Sequence, residues 1–188
     1  MTLIGLCGSK SSGKDTVASH LIRRHGFYRM AFATPLKDVC ATLFLLSEDQ
    51  CHDPSQKEET DPRWGLSPRR LFQMVGTDWV RAWRQDFWVD RMRMDIEASR
   101  IHYPRIVVAD VRFENEKNLI ESMGGIVIGI TRDSCQEKED QHPSETECKQ
   151  LLTDLDTIRN DGSIEELYDR VDSILMEMGL LCQQRLMD

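Results

Sequence analysis

Leu3-Ile4-Gly5-Leu6-Cys7-Gly8-Ser9-Lys10-Ser11-Ser12-Gly13-Lys14-Asp15-Thr16 is a short apolar run that breaks into a glycine-framed loop and then into helix-forming sequence. The order strand, loop, lysine, helix is that of a P-loop. Glycines at both ends, Gly8 and Gly13, let backbone N–H groups curl around a polyphosphate. The N-terminus of the following helix and the Lys14 ammonium then face its negative charge. The general pattern places Ser or Thr straight after the lysine, to hold Mg²⁺; here that place is Asp15, and Thr16 comes next. The competing reading is a glycine-containing turn between a buried strand and a helix.

Working outward, 188 residues fit one domain, 1–188, with enough chain to close a sizeable core. The formal net charge of −8 argues against a nucleic-acid surface or an anionic membrane, either of which needs a broad basic field. Anionic ligands must then be held by local basic groups. Six cysteines (Cys7, Cys40, Cys51, Cys135, Cys148, Cys182) form no C-x-x-C pair and read as reduced thiols. Cys135, His142 and Cys148 lack regular metal spacing, so zinc is not expected there. The first strand is expected almost at Met1, which leaves no room for a targeting peptide. The longest apolar run, Ala41 to Leu46, is too short to span a bilayer, and the expected compartment is the cytoplasm.

Val17, Ala18, Leu21 and Ile22 fall at helical spacing, and Gly26 should stop that helix. Phe27 to Ala33 predicts a strand, and Thr34-Pro35 restarts a helix through Leu36, Val39, Leu43 and Phe44. Glu48 to Pro62 is acidic and turn-rich, and reads either as a solvated loop or as part of an insert over an acceptor site, 47–103. Ser67-Pro68 caps a further helix, and Phe87, Trp88, Met92 and Ile96 lie on another. Arg105 to Asp110 is an apolar run ending in a carboxylate, as in a central parallel strand whose carboxyl end meets ligand. A helix over 116–123 is stopped by Gly124-Gly125, and Ile126 to Thr131 is the next strand. Residues 133–149 lack apolar periodicity and are left as a loop, lid or short helix, within a lid-like segment 132–149. A short strand near Leu155 to Ile158 leads into a final helix whose start, Ser163-Ile164-Glu165-Glu166, is a capping box. Five strands alternating with helices predict a three-layer α/β P-loop NTPase fold, a five-stranded parallel sheet with helices on both faces.

A P-loop alone does not separate a kinase from a GTPase or a motor. No N-K-x-D guanine motif is present, and a motor would be larger. A second supply of cations lies away from the loop: Lys37, Arg69, Arg70, Arg81, Arg112 and Arg132. Such a two-ended clamp suits phosphoryl transfer, where catalysis is alignment plus neutralisation of charge on the moving group. An acceptor that already carries phosphate needs no strong general base, which fits the lack of a His–Asp pair suited to that task. Asp110 reads as the carboxylate that positions Mg²⁺, with Asp15 sharing the role, or else as a helix N-cap.

The set Gly8 to Thr16, Pro35-Leu36-Lys37, Ser67-Pro68-Arg69-Arg70, Gly76-Thr77-Asp78, Phe87-Trp88-Val89, Asp110-Val111-Arg112-Phe113, His142-Pro143-Ser144-Glu145 and Asn160-Asp161-Gly162-Ser163 resembles the deoxynucleoside monophosphate kinases of tailed bacteriophages. The resemblance runs in order from residue 3 to about 170, and the Lys-Asp-Thr ending of the loop is a family trait. It implies transfer of the ATP γ-phosphate to a deoxynucleoside monophosphate, with Mg²⁺, in the host cytoplasm if the chain is viral, and a homodimer as the candidate assembly. It implies that Gly8, Lys10, Ser11, Ser12, Gly13, Lys14, Asp15 and Thr16 hold the ATP phosphates, with Asp15, Thr16 and Asp110 at the metal. Asn160, Asp161 and Gly162 would lie near the adenine. Lys37, Arg69, Arg70 and Arg112 would hold the acceptor phosphate, and Arg132, His142, Ser144 and Glu145 would serve the lid or the acceptor. Lys14, Asp110 and Arg112 are the implied catalytic set. Phosphomevalonate kinase of the animal type is the nearest alternative, because it shares a Gly-Lys-Asp loop; a non-catalytic nucleotide-binding module is the alternative from another class.

Overall fold

The computed structural model describes residues 1–133 and 142–180. The chain divides into two compact units, residues 1–30 with 97–188, and residues 31–96. The first carries a five-stranded, all-parallel sheet in the order β2-β3-β1-β4-β5. Its strands are β1 (Thr2–Cys7), β2 (Tyr28–Met30), β3 (Arg105–Val111), β4 (Ile126–Thr131) and β5 (Thr157–Arg159). β1 sits at the centre because its run is apolar on both faces, with Leu3, Ile4, Leu6 and Cys7 all buried. Alternate residues point to opposite faces. Ile4, Leu6, Val107, Ala109, Ile128 and Ile130 pack with α1 (Lys14–His25) and α8 (Ile164–Glu177), through Val17, Leu21, Leu167, Val171 and Leu175. Gly5 faces the other way, where a Cβ would meet Ile120 of α6 (Glu114–Ser122). Helices on both faces of a parallel sheet are the predicted three layers.

The second unit is helical: α2 (Ala33–Phe44), α3 (Glu48–His52), α4 (Pro68–Gln73), a π-helix (Met74–Arg81), and α5 (Phe87–Ser99), whose last residues belong to the first unit. Cys40, Phe44, Leu46, Cys51, Leu71 and Val75 make its core. The turn-rich stretch after residue 47 is therefore not all loop. Ser47 and Gln50 form a reciprocal capping box that starts α3. Asp61 is buried there and takes bonds from Arg63 and Gln50.

Two further differences from expectation have simple causes. The strand predicted over 27–33 shortens to Tyr28–Met30, an edge strand with Tyr28 and Arg29 exposed, and Ala33 already belongs to α2. The undecided segment 133–149 ends in a true helix, α7 (Pro143–Leu151). Its residues 134–141, including Cys135, lie outside the described residues. Among the described residues no helix is long and apolar enough to cross a membrane.

Candidate active site

β1 ends at Cys7, and the chain must turn sharply to enter α1. Gly8 is required by close approach, since a Cβ there would stand 2.5 Å from the Ile130 carbonyl oxygen and 2.6 Å from Ser12 Oγ. Gly13 is required by its backbone, at φ 105°, and by Asn160, whose Nδ2 would lie 2.3 Å from an added Cβ. Ser11 also takes a left-handed conformation, at φ 63°. Asn160 follows β5 and donates from Nδ2 to the Ser12 carbonyl at 2.8 Å, so the far strand of the sheet ties the loop down. Ser12 is buried within the loop, and its hydroxyl has no hydrogen-bond partner among the described residues.

The loop and the first turn of α1 open on a cavity of about 320 Å³ lined by Ser11, Gly13, Lys14, Asp15, Thr16, Arg132, Asn160 and Gly162, with Ile164 and Leu167 as its apolar wall. Among the described residues no side chain caps α1, so its first-turn N–H groups and positive dipole end meet this cavity. Lys14 Nζ donates to the Ser9 carbonyl at 2.6 Å and to that of Gly8. Burial, and next the charge of Arg112, pull the Lys14 pKa below its ordinary value.

Asp110 and Arg112 lie at the carboxyl end of β3, where Val111 pairs with Cys7 of β1. Asp110 is not a helix cap. The N-cap position of α6 falls on Phe113, and Glu116 Oε2 accepts from the Arg112 and Phe113 backbone N–H groups at 2.8 and 3.3 Å. The Arg112 guanidinium donates to Glu145 Oε1, and Glu145 is only 3% exposed. Burial lowers the Arg112 pKa, but Glu145, Cys148 and Asp110 together outweigh it, so the net direction is upward.

The other expected site residues are placed as follows. Asp15 pairs with Arg29 at 2.5 Å, a partner in the middle of β2 that no local spacing announced. Asp161 accepts from the Asp133 N–H at 2.7 Å and from Arg159 Nε at 3.2 Å, which holds its carboxyl below the usual range. Arg132 lines the cavity, and Lys10 is exposed on the loop. His142 caps α7, with Nδ1 2.9 Å from Ser144 Oγ and 3.3 Å from the Ser144 N–H. His142 and Ser144 thus shape the start of α7, and Glu145 anchors Arg112. In the helical unit Arg69 lies 3.8 Å from Glu58, Arg70 donates to Asp78 at 3.1 Å, and Lys37 is half-buried on α2.

Sequence reasoning also missed the thiols under the loop. Cys7 and Cys148 are both buried, with sulfurs 3.5 Å apart. The Cys7 hydrogen bond, Arg112 and the Gly8 N–H favour a thiolate on Cys148, bringing its pKa down to about 7 against the opposing effect of burial. The same contact and burial push the Cys7 thiol up.

Among solved structures the chain is similar to dephospho-CoA kinase from Campylobacter jejuni, with a TM-score of 0.53 at 16% identity over 96% of this chain and all of that one. It is also similar to TT1252 from Thermus thermophilus, with a TM-score of 0.52 at 19% identity over 94% of this chain and 97% of that one. These likenesses support the P-loop kinase fold. A protein of Acanthamoeba polyphaga mimivirus that carries the provisional name deoxynucleotide monophosphate kinase is 38% identical over 91% of this chain and 94% of its own. The deoxynucleotide monophosphate kinase of Enterobacteria phage T4 is 24% identical over 93% of this chain and 99% of its own. The family model for deoxynucleotide monophosphate kinase matches residues 49–171. With that match and these relatives along nearly the whole chain, this chain belongs to the deoxynucleotide monophosphate kinase family.

Proposed function

We propose that the chain transfers the γ-phosphoryl group of ATP to the phosphate of a deoxynucleoside monophosphate, with the donor in the cavity over the P-loop. One observation carries this reading of the site: β3 pairs with β1 so that Val111, between Asp110 and Arg112, stands beside Cys7, where β1 runs into the P-loop that leads to Lys14 at the start of α1. Two cations converge where a phosphoryl group would pass.

The oxygen donors around that place fit Mg²⁺, a hard cation that takes hydroxyl and carboxylate oxygens. The Thr16 hydroxyl comes from the cavity wall and the Asp110 carboxylate from the end of β3. When bound, Mg²⁺ would neutralise charge on the donor phosphates. Asp15 is its third candidate ligand and would have to leave Arg29 to serve.

The residues themselves have distinct tasks. Loop N–H groups and the α1 terminus hold the donor phosphates in place. Lys14 exchanges its loop carbonyls for phosphate oxygens and stabilises the charge that spreads over them in transit. Glu145 fixes one edge of Arg112, so the guanidinium is oriented before substrate arrives and its remaining N–H groups can take phosphate oxygens. Asn160 keeps the loop from relaxing. Lys37, Arg69 and Arg70 are the expected acceptor-side cations, and Arg69 and Arg70 would have to release Glu58 and Asp78. The acceptor phosphate is already anionic at neutral pH, so no general base is required.

The test is a coupled ADP-release assay with ATP and Mg²⁺, offering dGMP, dTMP, dCMP, dAMP and phosphomevalonate in turn. Turnover with at least one deoxynucleotide is expected. Turnover with phosphomevalonate alone, or none with any acceptor while ATP binds, would overturn the reading.

A further inference from the structure

We infer that the seam between α1 and α8 holds a zinc-class divalent metal ion, ligated by His20, His25 and Asp172. The Nε2 atoms of His20 and His25 each lie 2.7 Å from the same oxygen, Oδ1 of Asp172. All three donor atoms fall within 4.8 Å of one another. Two imidazole nitrogens and one carboxylate oxygen are a donor set for Zn²⁺ or Co²⁺, and a poor one for Mg²⁺, which prefers oxygen alone. A water would complete the tetrahedron.

The ligands are held by groups other than each other. His20 is buried and stacks on Tyr168 of α8, ring centres 4.1 Å apart and planes 10° from parallel. His25 is the last residue of α1, fixed between the left-handed Gly26 and Arg105, whose Nη1 donates to the His25 carbonyl at 2.7 Å. Asp172 comes from the middle of α8, so the cluster joins two helices far apart in sequence.

Without a metal the cluster is a hydrogen-bonded latch, with the Nε2 atom of each imidazole facing the same carboxylate oxygen. A metal needs Nε2 as a lone pair at about 2.0–2.1 Å. Each ligating ring then carries its one proton on Nδ1, any further proton passes to solvent, and small ring shifts bring the donors to bonding distance. At a rise of about 1.5 Å per residue, His20 and His25 lie about 9 and 16 Å along α1 from Lys14. The site is therefore separate from the phosphate cavity and acts as a clasp on the layer that carries the P-loop helix.

The experiment uses the full chain, treated with a chelator and returned to buffer. Titration with Co²⁺ should give the visible bands of a tetrahedral ion at one equivalent per chain, and Zn²⁺ should displace it. Zn²⁺ should raise the melting temperature, as Mg²⁺ at equal concentration should not. His25→Ala, at the helix end, should weaken Co²⁺ at least tenfold while leaving the far-ultraviolet spectrum and Mg²⁺-dependent turnover unchanged. Asp172→Asn should behave alike. Failure of wild-type protein to bind Co²⁺, equal binding by the two variants, or a near-ultraviolet band of cysteine sulfur on cobalt would each overturn the proposal.

Discussion

Arg112 hangs on a carboxylate that solvent scarcely reaches, and that fact separates two consequences of removing it. Arg112→Ala leaves Glu145 buried without its cation, which should cost about 3–5 kcal/mol of stability, read as a lower urea midpoint. The same change should lower kcat/KM by the equivalent of about 2–4 kcal/mol of lost charge stabilisation, while ATP binding survives. Unchanged kcat/KM in the fraction that remains folded would remove Arg112 from the transfer. Asp15 is the opposite case. Its pair with Arg29 is largely exposed, at 81% and 43%, so Asp15→Asn should change stability by less than about 1 kcal/mol. Any effect must then appear in catalysis, as a shift of the Mg²⁺ activation curve to higher concentration. An unmoved curve assigns Asp15 to Arg29 alone.

The P-loop behaves as an element because a second element holds it. Asn160→Ala removes an amide–carbonyl bond of about 0.5–1.5 kcal/mol and should raise the KM for ATP. Gly13→Ala meets both the positive φ and Asn160, so it should destabilise by about 1–3 kcal/mol; pairing it with Asn160→Ala should recover part of that loss but not the backbone strain. A double-mutant cycle by urea denaturation checks this. Elements with one clear cause were legible from sequence: β1 and β3 as apolar runs, α1 by its spacing and Gly26, α8 by its capping box. α7 was not legible, for a definite reason. Its buried face is Ser144, Glu145, Cys148 and Leu151, which has helical spacing, but two of the four are polar and hide it from any hydrophobic pattern. The π-helix Met74–Arg81 was hidden as well, since one extra residue per turn leaves no mark in so short a stretch. Arg112–Glu145 and Asp15–Arg29 are tertiary meetings without a local period, so Arg112, Glu145 and Asp15 could be named as site residues while their pairings, and Arg29 itself, could not.

At the scale of the whole molecule, this nucleotide kinase carries an excess of acid, and several of its carboxylates depend on folding for their low pKa. Asp61 is held down chiefly by its bonds from Arg63 and Gln50, Asp161 by the Asp133 N–H and Arg159, and Asp172 by His20 and His25 against burial. In each the folded pKa lies below the unfolded one, near about 3.9. The unfolded chain therefore binds protons first, so this stabilisation is complete above about pH 5 and is lost as pH falls through the folded values. Cys40 runs the other way, because burial pushes its thiol up to about 12. Its contribution is complete below the unfolded value of about 8.5 and fades as pH rises toward the folded one. The urea midpoint should accordingly form a plateau between about pH 5 and 7, with an acid limb below, a rise from about pH 7 as Cys148 ionises first in the folded chain, and an alkaline limb above about pH 8.5. Asp61→Asn should flatten the acid limb while lowering the plateau, because Arg63 loses its charged partner. Cys40→Ala should flatten the alkaline limb. A midpoint that stays level from pH 5 down to 3 would show that these carboxylates are not proton-linked to folding, and an alkaline limb unchanged in the Cys40 variant would assign it to the Cys7 thiol, which burial and Cys148 also hold neutral.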